Sequence, residues 1–244
     1  MAIHRTADRS RRIDLSLAPD PDLMPDLVLD HVFICCDAGA PEAEALRALG
    51  LVEGSGNVHP GQGTANRRFF FDGGFLELLW VADPEEARSD PAATTRLWPR
   101  WSGRRTGACP FGIAFGPAGD RVGAPPFATR PYRPSYLPPD KAILFAEGTH
   151  LEEPELLYLA WPHPLASSST QPRDHANGLR RLRSVSVGLP AGIMPSAASM
   201  ALQSAGLLSL HEAEAYTLTL GLEGRSTADL DLRPTLPLVL SSVR

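Results

Sequence analysis

Residues 27–36 read Leu-Val-Leu-Asp-His-Val-Phe-Ile-Cys-Cys. The run is apolar and rich in branched side chains, broken only by Asp30 and His31, which is the pattern of a buried strand. Residues 41–49 set Glu42, Glu44 and Arg47 among Ala and Leu. Pro41 stands in the first turn and Gly50 follows the last, so a short amphipathic helix is expected there. A strand is expected to begin at residues 51–53, and a loop rich in Gly, Asn and Pro covers residues 54–64. Residues 66–72 and 75–81 read as strands around a Gly73-Gly74 turn. One strand, one helix and three further strands thus follow each other within about 55 residues.

Outward from this stretch the pattern recurs. Residues 83–105 are polar, with Trp98 and Trp101, and read as a short helix plus linker. A strand is expected at 110–115. Residues 116–140 are rich in Pro and Gly and show no helical period. Strands at 142–146 and 155–161 can pair as a hairpin, and residues 162–177 form a loop holding His163 and His175. A strand at 183–189, a helix at 195–205 ended by Gly206, and strands at 216–222 and 236–242 complete the chain. Residues 182–240 repeat the first pattern. A degenerate copy lies between, its helix replaced by the Pro-rich stretch. The expectation is an α+β fold of repeated β-α-β-β-β modules, whose curved mixed sheets form a cup. The expected division is a loosely ordered leader (1–26), a first module (27–84), a linker (85–106), a degenerate second module (107–165) and a third module (166–244).

The chain has 244 residues, 43% of them hydrophobic, and a net charge of −5. This excludes a mainly disordered protein and argues against a nucleic-acid binder that works by neutralising phosphates. Lys141 is the single lysine, and 24 prolines and 21 glycines promise many turns. Cys35, Cys36 and Cys109 make no disulfide framework and read as reduced thiols of a cytoplasmic protein, with Cys35 and Cys36 as buried fillers. There is no secretory apolar region and no run long enough to span a bilayer, so no membrane partner is expected. Gly61-Gln62-Gly63 lacks the third glycine and the helix of a phosphate loop. No nucleophile elbow and no cysteine pair with zinc spacing occurs.

Several segments together resemble the glyoxalase-like domain proteins of the vicinal oxygen chelate superfamily, the fold of glyoxalase I, extradiol dioxygenases and bleomycin-binding proteins. They are Leu29-Asp30-His31-Val32-Phe33-Ile34, His59-Pro60 with Gly63-Thr64-Ala65-Asn66-Arg67, and Phe75-Leu76-Glu77-Leu78-Leu79, followed by the strand ending at Trp161 and by His175-Ala176-Asn177-Gly178. The resemblance covers roughly residues 27–190. It implies a small-molecule enzyme of lyase, isomerase or dioxygenase type, with one divalent metal (Zn, Ni, Mn or Fe) held by His31 and Glu77 in the cup of the first module. The alternative is a non-catalytic protein that sequesters a small molecule, as bleomycin-binding relatives do. The sequence departs from the family's second ligand pair. Pro110 and Ser184 stand where His31 would recur, and Tyr158 and Leu238 where Glu77 would. Further ligands would have to come from His59, His163 or His175 on loops. A homodimer is expected if the odd module pairs across subunits.

Each candidate also has a plainer reading. His31 lies in an apolar strand and fits either a pocket or a satisfied core histidine. Glu77 sits amid Phe75, Leu76, Leu78 and Leu79, where an unpaired carboxylate is costly, although alternation can place it on the outer face. His59 and Asn66 are candidates for catalysis and for orienting a substrate, in a segment that also reads as a plain connection. Arg67 and Arg68 point to opposite faces, so at most one faces the cup, and an inward arginine favours an anionic substrate. Trp161 fits core or pocket, and His175 a loop hydrogen bond or a substrate contact.

Overall fold

The computed structural model describes residues 27–118, 124–161, 170–226 and 228–243. The expected leader and His163 lie outside the described residues. β1 (Leu27–Cys35) is followed by α1 (Ala43–Ala48), β2 (Asn57–His59), β3 (Thr64–Phe71) and β4 (Gly74–Val81). β1 and β4 run parallel, which requires a crossover connection, and α1 lies in that crossover. α1 ends where Gly50 takes φ +85°, a value that glycine adopts without strain. The strand expected at residues 51–53 is absent. The short β2 forms instead inside the expected loop, pairing antiparallel with β3 through Asn57 opposite Asn66.

α2 (Pro84–Ala87), α3 (Asp90–Ala93) and α4 (Leu97–Gly103) follow. Read from sequence as a linker, residues 85–106 are packed into the body. Arg96 and Arg100, joined by Arg130, converge on the fully buried Glu155 carboxylate at 2.7–3.0 Å. One carboxylate held by three guanidinium groups satisfies a charge that burial alone would make costly.

β5 (Phe111–Pro117), β6 (Thr129–Tyr132), β7 (Ile143–Ala146) and β8 (Glu155–Leu159) build a second half. The eight strands form one mixed sheet in the order β2-β3-β4-β1-β5-β8-β7-β6. Each half places its last strand parallel beside its first, and β1 meets β5 antiparallel at the centre. The cup expected from sequence is this curled sheet. β7 and β8 pair as the predicted hairpin. Among the described residues no helix joins β5 to β6.

β9 (Leu179–Pro190), α5 (Ala197–Ser204), β10 (Ser209–Ala213), β11 (Thr217–Gly224), β12 (Leu230–Asp231) and β13 (Leu238–Val243) form the last unit. Its sheet order is β10-β9-β11-β13-β12. Here β13 lies parallel beside β11 and not beside β9, so the strand order differs from that of the first two units. The unit does the work of the missing helix. Phe111, Ile113 and Phe115 from β5 and Leu156 and Tyr158 from β8 share one buried cluster with residues of β9, β11 and β13. Burying side chains of this size contributes about 2 kcal/mol each. The polar clasp is the buried Glu153 carboxylate, which accepts from the Ser196 N–H and from the Ser196 and Ser199 hydroxyls at the start of α5.

A smaller cluster lines the concave face and includes Phe33, Leu79, Ala114, Phe145 and Leu157. Alternation along β1, β4 and β8 therefore feeds two apolar layers, one on each side of the sheet.

Candidate functional site

The concave face encloses a cavity of about 280 Å³, small among ligand pockets. Its walls differ. The β1–β4 half supplies Asp30, His31, His59, Asn66, Arg68 and Glu77, while β7, β8 and α4 supply Ile143, Phe145, Leu157, Leu159 and Leu97. A larger groove of about 860 Å³ runs between β1 and β9, and its titratable lining is Asp72 with arginines, whereas the smaller hollow brings together two histidines and two carboxylates, His31, His59, Asp30 and Glu77.

β1 carries a bulge. Leu29 lies opposite Phe115 and His31 opposite Ala114, so Asp30 is an extra residue on its strand. Asp30 and His31 consequently line the same cavity. His31 Nδ1 donates to Asp30 Oδ1 at 2.5 Å. On the other side of the ring, Nε2 lies 3.5 Å from Glu77 Oε2. The ring is held flat against Phe75, with centroids 4.5 Å apart. Burial pushes the His31 pKa down, but the hydrogen bond and charge of Asp30, with the Glu77 charge, outweigh it, and the net direction is up.

Glu77 is 5% exposed and faces inward. Asn66 Nδ2 donates to its Oε1 at 2.5 Å, while Asn66 Oδ1 accepts the Asn57 N–H at 2.7 Å. Asn66 therefore fixes the carboxylate that meets His31. His59 is bound through Nδ1 to the Thr64 hydroxyl at 2.9 Å. That hydroxyl donates to Gln62 Oε1 at 2.6 Å, so it accepts from His59 Nδ1–H and leaves Nε2 as an acceptor. Burial holds the His59 pKa down, in keeping with a neutral ring. Gln62 in turn donates to the Tyr136 hydroxyl at 3.2 Å, linking the β6–β7 loop to the first half.

Seven of the residues singled out in the sequence thus have clear places. His31, Glu77, His59, Asn66 and Trp161 come together around the cavity. Arg67 does not. It lies on the opposite face of β3, where its guanidinium grips Glu53, Glu44 and the Ala40 carbonyl. The inward arginine is Arg68, one residue on, as a period of two requires. His175 also stands away from the cavity. Its Nδ1 accepts the Val52 N–H at 3.0 Å and its Nε2 donates to the Phe70 carbonyl at 2.9 Å, so both nitrogens are spent on backbone. The sequence reading missed Asp30, Gln62 and Tyr136. Asp30 left a trace as a charged break in the apolar run, but nothing in the sequence announced the bulge.

Among the described residues the donor set does not amount to a resident metal site. His31 Nε2 and Glu77 Oε2 face one another, yet no group of three or more His, Cys, Asp or Glu side chains able to hold an ion occurs among the described residues. The facing positions of the second half are apolar. Ala114 lies opposite His31, and β8 turns Leu157 and Leu159 into the cavity. Tyr158, the expected counterpart of Glu77, is buried on the outer face instead.

The family match falls in the first half of the chain. Residues 29–121 match the family described as glyoxalase-like domain. No curated protein matches. A hypothetical protein from Staphylococcus aureus superposes with a TM-score of 0.51 at 10% identity, over 89% of this chain and 99% of that one. That likeness is one of fold. A 4-hydroxymandelate synthase variant from Streptomyces coelicolor gives 0.39 at 15% identity, over 82% and 71%. A fusion of a xylose isomerase-like TIM barrel with 4-hydroxyphenylpyruvate dioxygenase gives 0.45 at 13% identity, over 82% of this chain and 37% of that one. No helix among the described residues is long and apolar enough to cross a membrane.

Proposed function

We propose that this chain, whose residues 29–121 match a glyoxalase-like domain, is a vicinal oxygen chelate protein and a small-molecule enzyme of lyase or isomerase type, acting in the cup of its first half by proton transfer at His31. The carrying observation is the Asp30–His31–Glu77 chain at the wall of the cavity on the concave face. Asp30 fixes the ring through Nδ1 and leaves Nε2 as the atom that takes or gives a proton. Glu77, oriented by Asn66, stabilises the imidazolium that forms. His59, neutral and with Nε2 as acceptor, orients a substrate hydroxyl. The apolar half excludes water from the reacting group. Members of the superfamily often use a divalent metal, but among the described residues His31 and Glu77 make too small a donor set, so the reading rests on side chains.

A second reading, a non-catalytic binding protein, is favoured by the same short donor set and by the apolar half of the cavity. Turnover decides between them. Hemithioacetals of α-oxo aldehydes, 2-hydroxy ketones and catechols are assayed with wild type, His31→Ala and the surface control Arg67→Ala. Turnover lost only in His31→Ala supports the enzyme. Thermal stabilisation by a compound without turnover in any protein supports the binder.

A further inference from the structure

Arg68 and Glu77 stand directly opposite each other on the antiparallel pair β3 and β4. Opposed residues of that kind have Cβ atoms about 5 Å apart, and opposite charges there normally pair. These two do not. Both Glu77 oxygens are directed elsewhere, Oε1 to Asn66 and Oε2 toward His31. The Arg68 guanidinium is held by backbone instead. Its Nε donates to the Ser55 carbonyl at 2.8 Å, and Nη2 makes only long contacts of 3.4 and 3.5 Å to Ser55 and Gly56. Among the described residues no carboxylate forms an ion pair with it, whereas Arg67, its neighbour, holds two. Asp30 and Glu77 share the cavity, but neither carboxylate forms an ion pair with this half-buried guanidinium, which leaves it poised to receive one from a ligand.

We infer that Arg68 is the binding group for the carboxylate of a small acid whose apolar or aromatic body fills the β7–β8 half of the cavity. The assignment rests on the cavity being the ligand site, as proposed above. The planar fork matches two carboxylate oxygens, and the residual hydrogens of Nη1 and Nη2 supply the donors. The Arg68 carbon lies 5.1 Å from the Phe70 ring and 5.7 Å from the Phe75 ring, which fixes the fork. Phe75 is also the ring on which His31 stacks. A carboxylate on Arg68 therefore holds the adjoining carbon atoms on the side of the cavity where His31 Nε2 works. Across the cavity, Phe145, Leu157, Leu159 and Trp161 offer an apolar surface for the rest of the molecule.

The test is calorimetric titration of the full chain with phenylacetate and 3-phenylpropanoate, each against its primary amide. Wild type is expected to bind at least one acid at least tenfold more tightly than its amide. Arg68→Gln is expected to abolish that preference, and Arg68→Lys to keep part of it. A purely structural arginine that only pins the Ser55–Gly56 turn would change acid and amide affinity equally. Equal affinity of acid and amide in wild type, a preference that survives in Arg68→Gln, or no binding of either compound overturns the assignment. Acid binding with no turnover of any compound would remove the enzymatic reading and leave Arg68 standing. Turnover of an uncharged carbonyl compound with no acid preference would do the reverse.

Discussion

Asp30 and His31 are consecutive in the chain and yet face one cavity, because β1 bulges between Leu29 and His31. In a regular strand the two would point to opposite faces. The bulge gives the imidazole a carboxylate on Nδ1 from its own neighbour, and leaves β4 to supply the partner for Nε2.

This relationship sets a pH dependence. The His31 pKa is raised above 6.5 against the opposing effect of burial, by Asp30 and then Glu77. Asp30→Asn removes the anion and keeps the burial, so His31 should titrate at lower pH than in wild type, as followed by NMR of its ring protons. A raised folded-state pKa means that stability is fully present below the unfolded value and is lost as pH rises through the folded one. Wild type should therefore lose part of its advantage over Asp30→Asn as pH rises through that window. Equal midpoints in the two proteins would remove Asp30 from the account.

Asn66 has a different role. Asn66→Ala strips the donor from Glu77 Oε1 and leaves the Asn57 N–H without its acceptor. The expected loss of stability is about 2 kcal/mol by urea unfolding. The freed Glu77 can then turn across the strands to Arg68, so affinity for acids should fall although Arg68 is intact. Unchanged acid affinity would show that Glu77 is held by something other than Asn66.

Arg67 and Arg68 should separate cleanly. Arg67 ties β3 to Glu53, Glu44 and the Ala40 carbonyl on the outer face. Arg67→Ala is expected to cost about 1–2 kcal/mol in unfolding and to leave ligand affinity untouched. If Arg67→Ala weakens acid binding as strongly as Arg68→Gln does, the facing of β3 is misassigned.

His175 is a structural clamp between the residue 51–52 segment and β3. Removing it should cost about 2 kcal/mol, with no effect on binding in the cavity. Burial lowers its pKa below 6.5. The folded ring thus resists protonation, and stability falls as pH drops through the region below 6.5. His175→Gln should flatten that acid-side slope in a thermal melt, and an unaltered slope would mean that another group titrates there.

Much of the architecture was legible because it is written in local patterns. The β1–α1–β3–β4 stretch announced itself through the apolar, branched run of β1, the Pro41 and Gly50 boundaries of the helix, and the Gly73-Gly74 turn. β6 and β10 were invisible. β6 lies in a Pro-rich stretch and takes its partners from β7, and β10 is a mostly exposed edge strand with weak alternation. The order of the last sheet depends on long-range pairing that no local period encodes. Of the site, His31, Glu77, His59 and Asn66 could be read as polar residues placed in or beside apolar strands. The choice between Arg67 and Arg68 needed the strand's facing. Asp30 needed the bulge, which exists only in the register of β1 against β5.

The central claim is that His31 is a proton-transfer group clasped by Asp30 and Glu77, with no complete metal donor set around it among the described residues. Elemental mass spectrometry of protein purified without a histidine tag, beside His31→Ala, tests it most directly. The account predicts metal well below one equivalent, the same in both proteins, with no uptake specific to wild type after addition of zinc, nickel, manganese or ferrous iron. Near-stoichiometric metal in wild type that disappears in His31→Ala would contradict it.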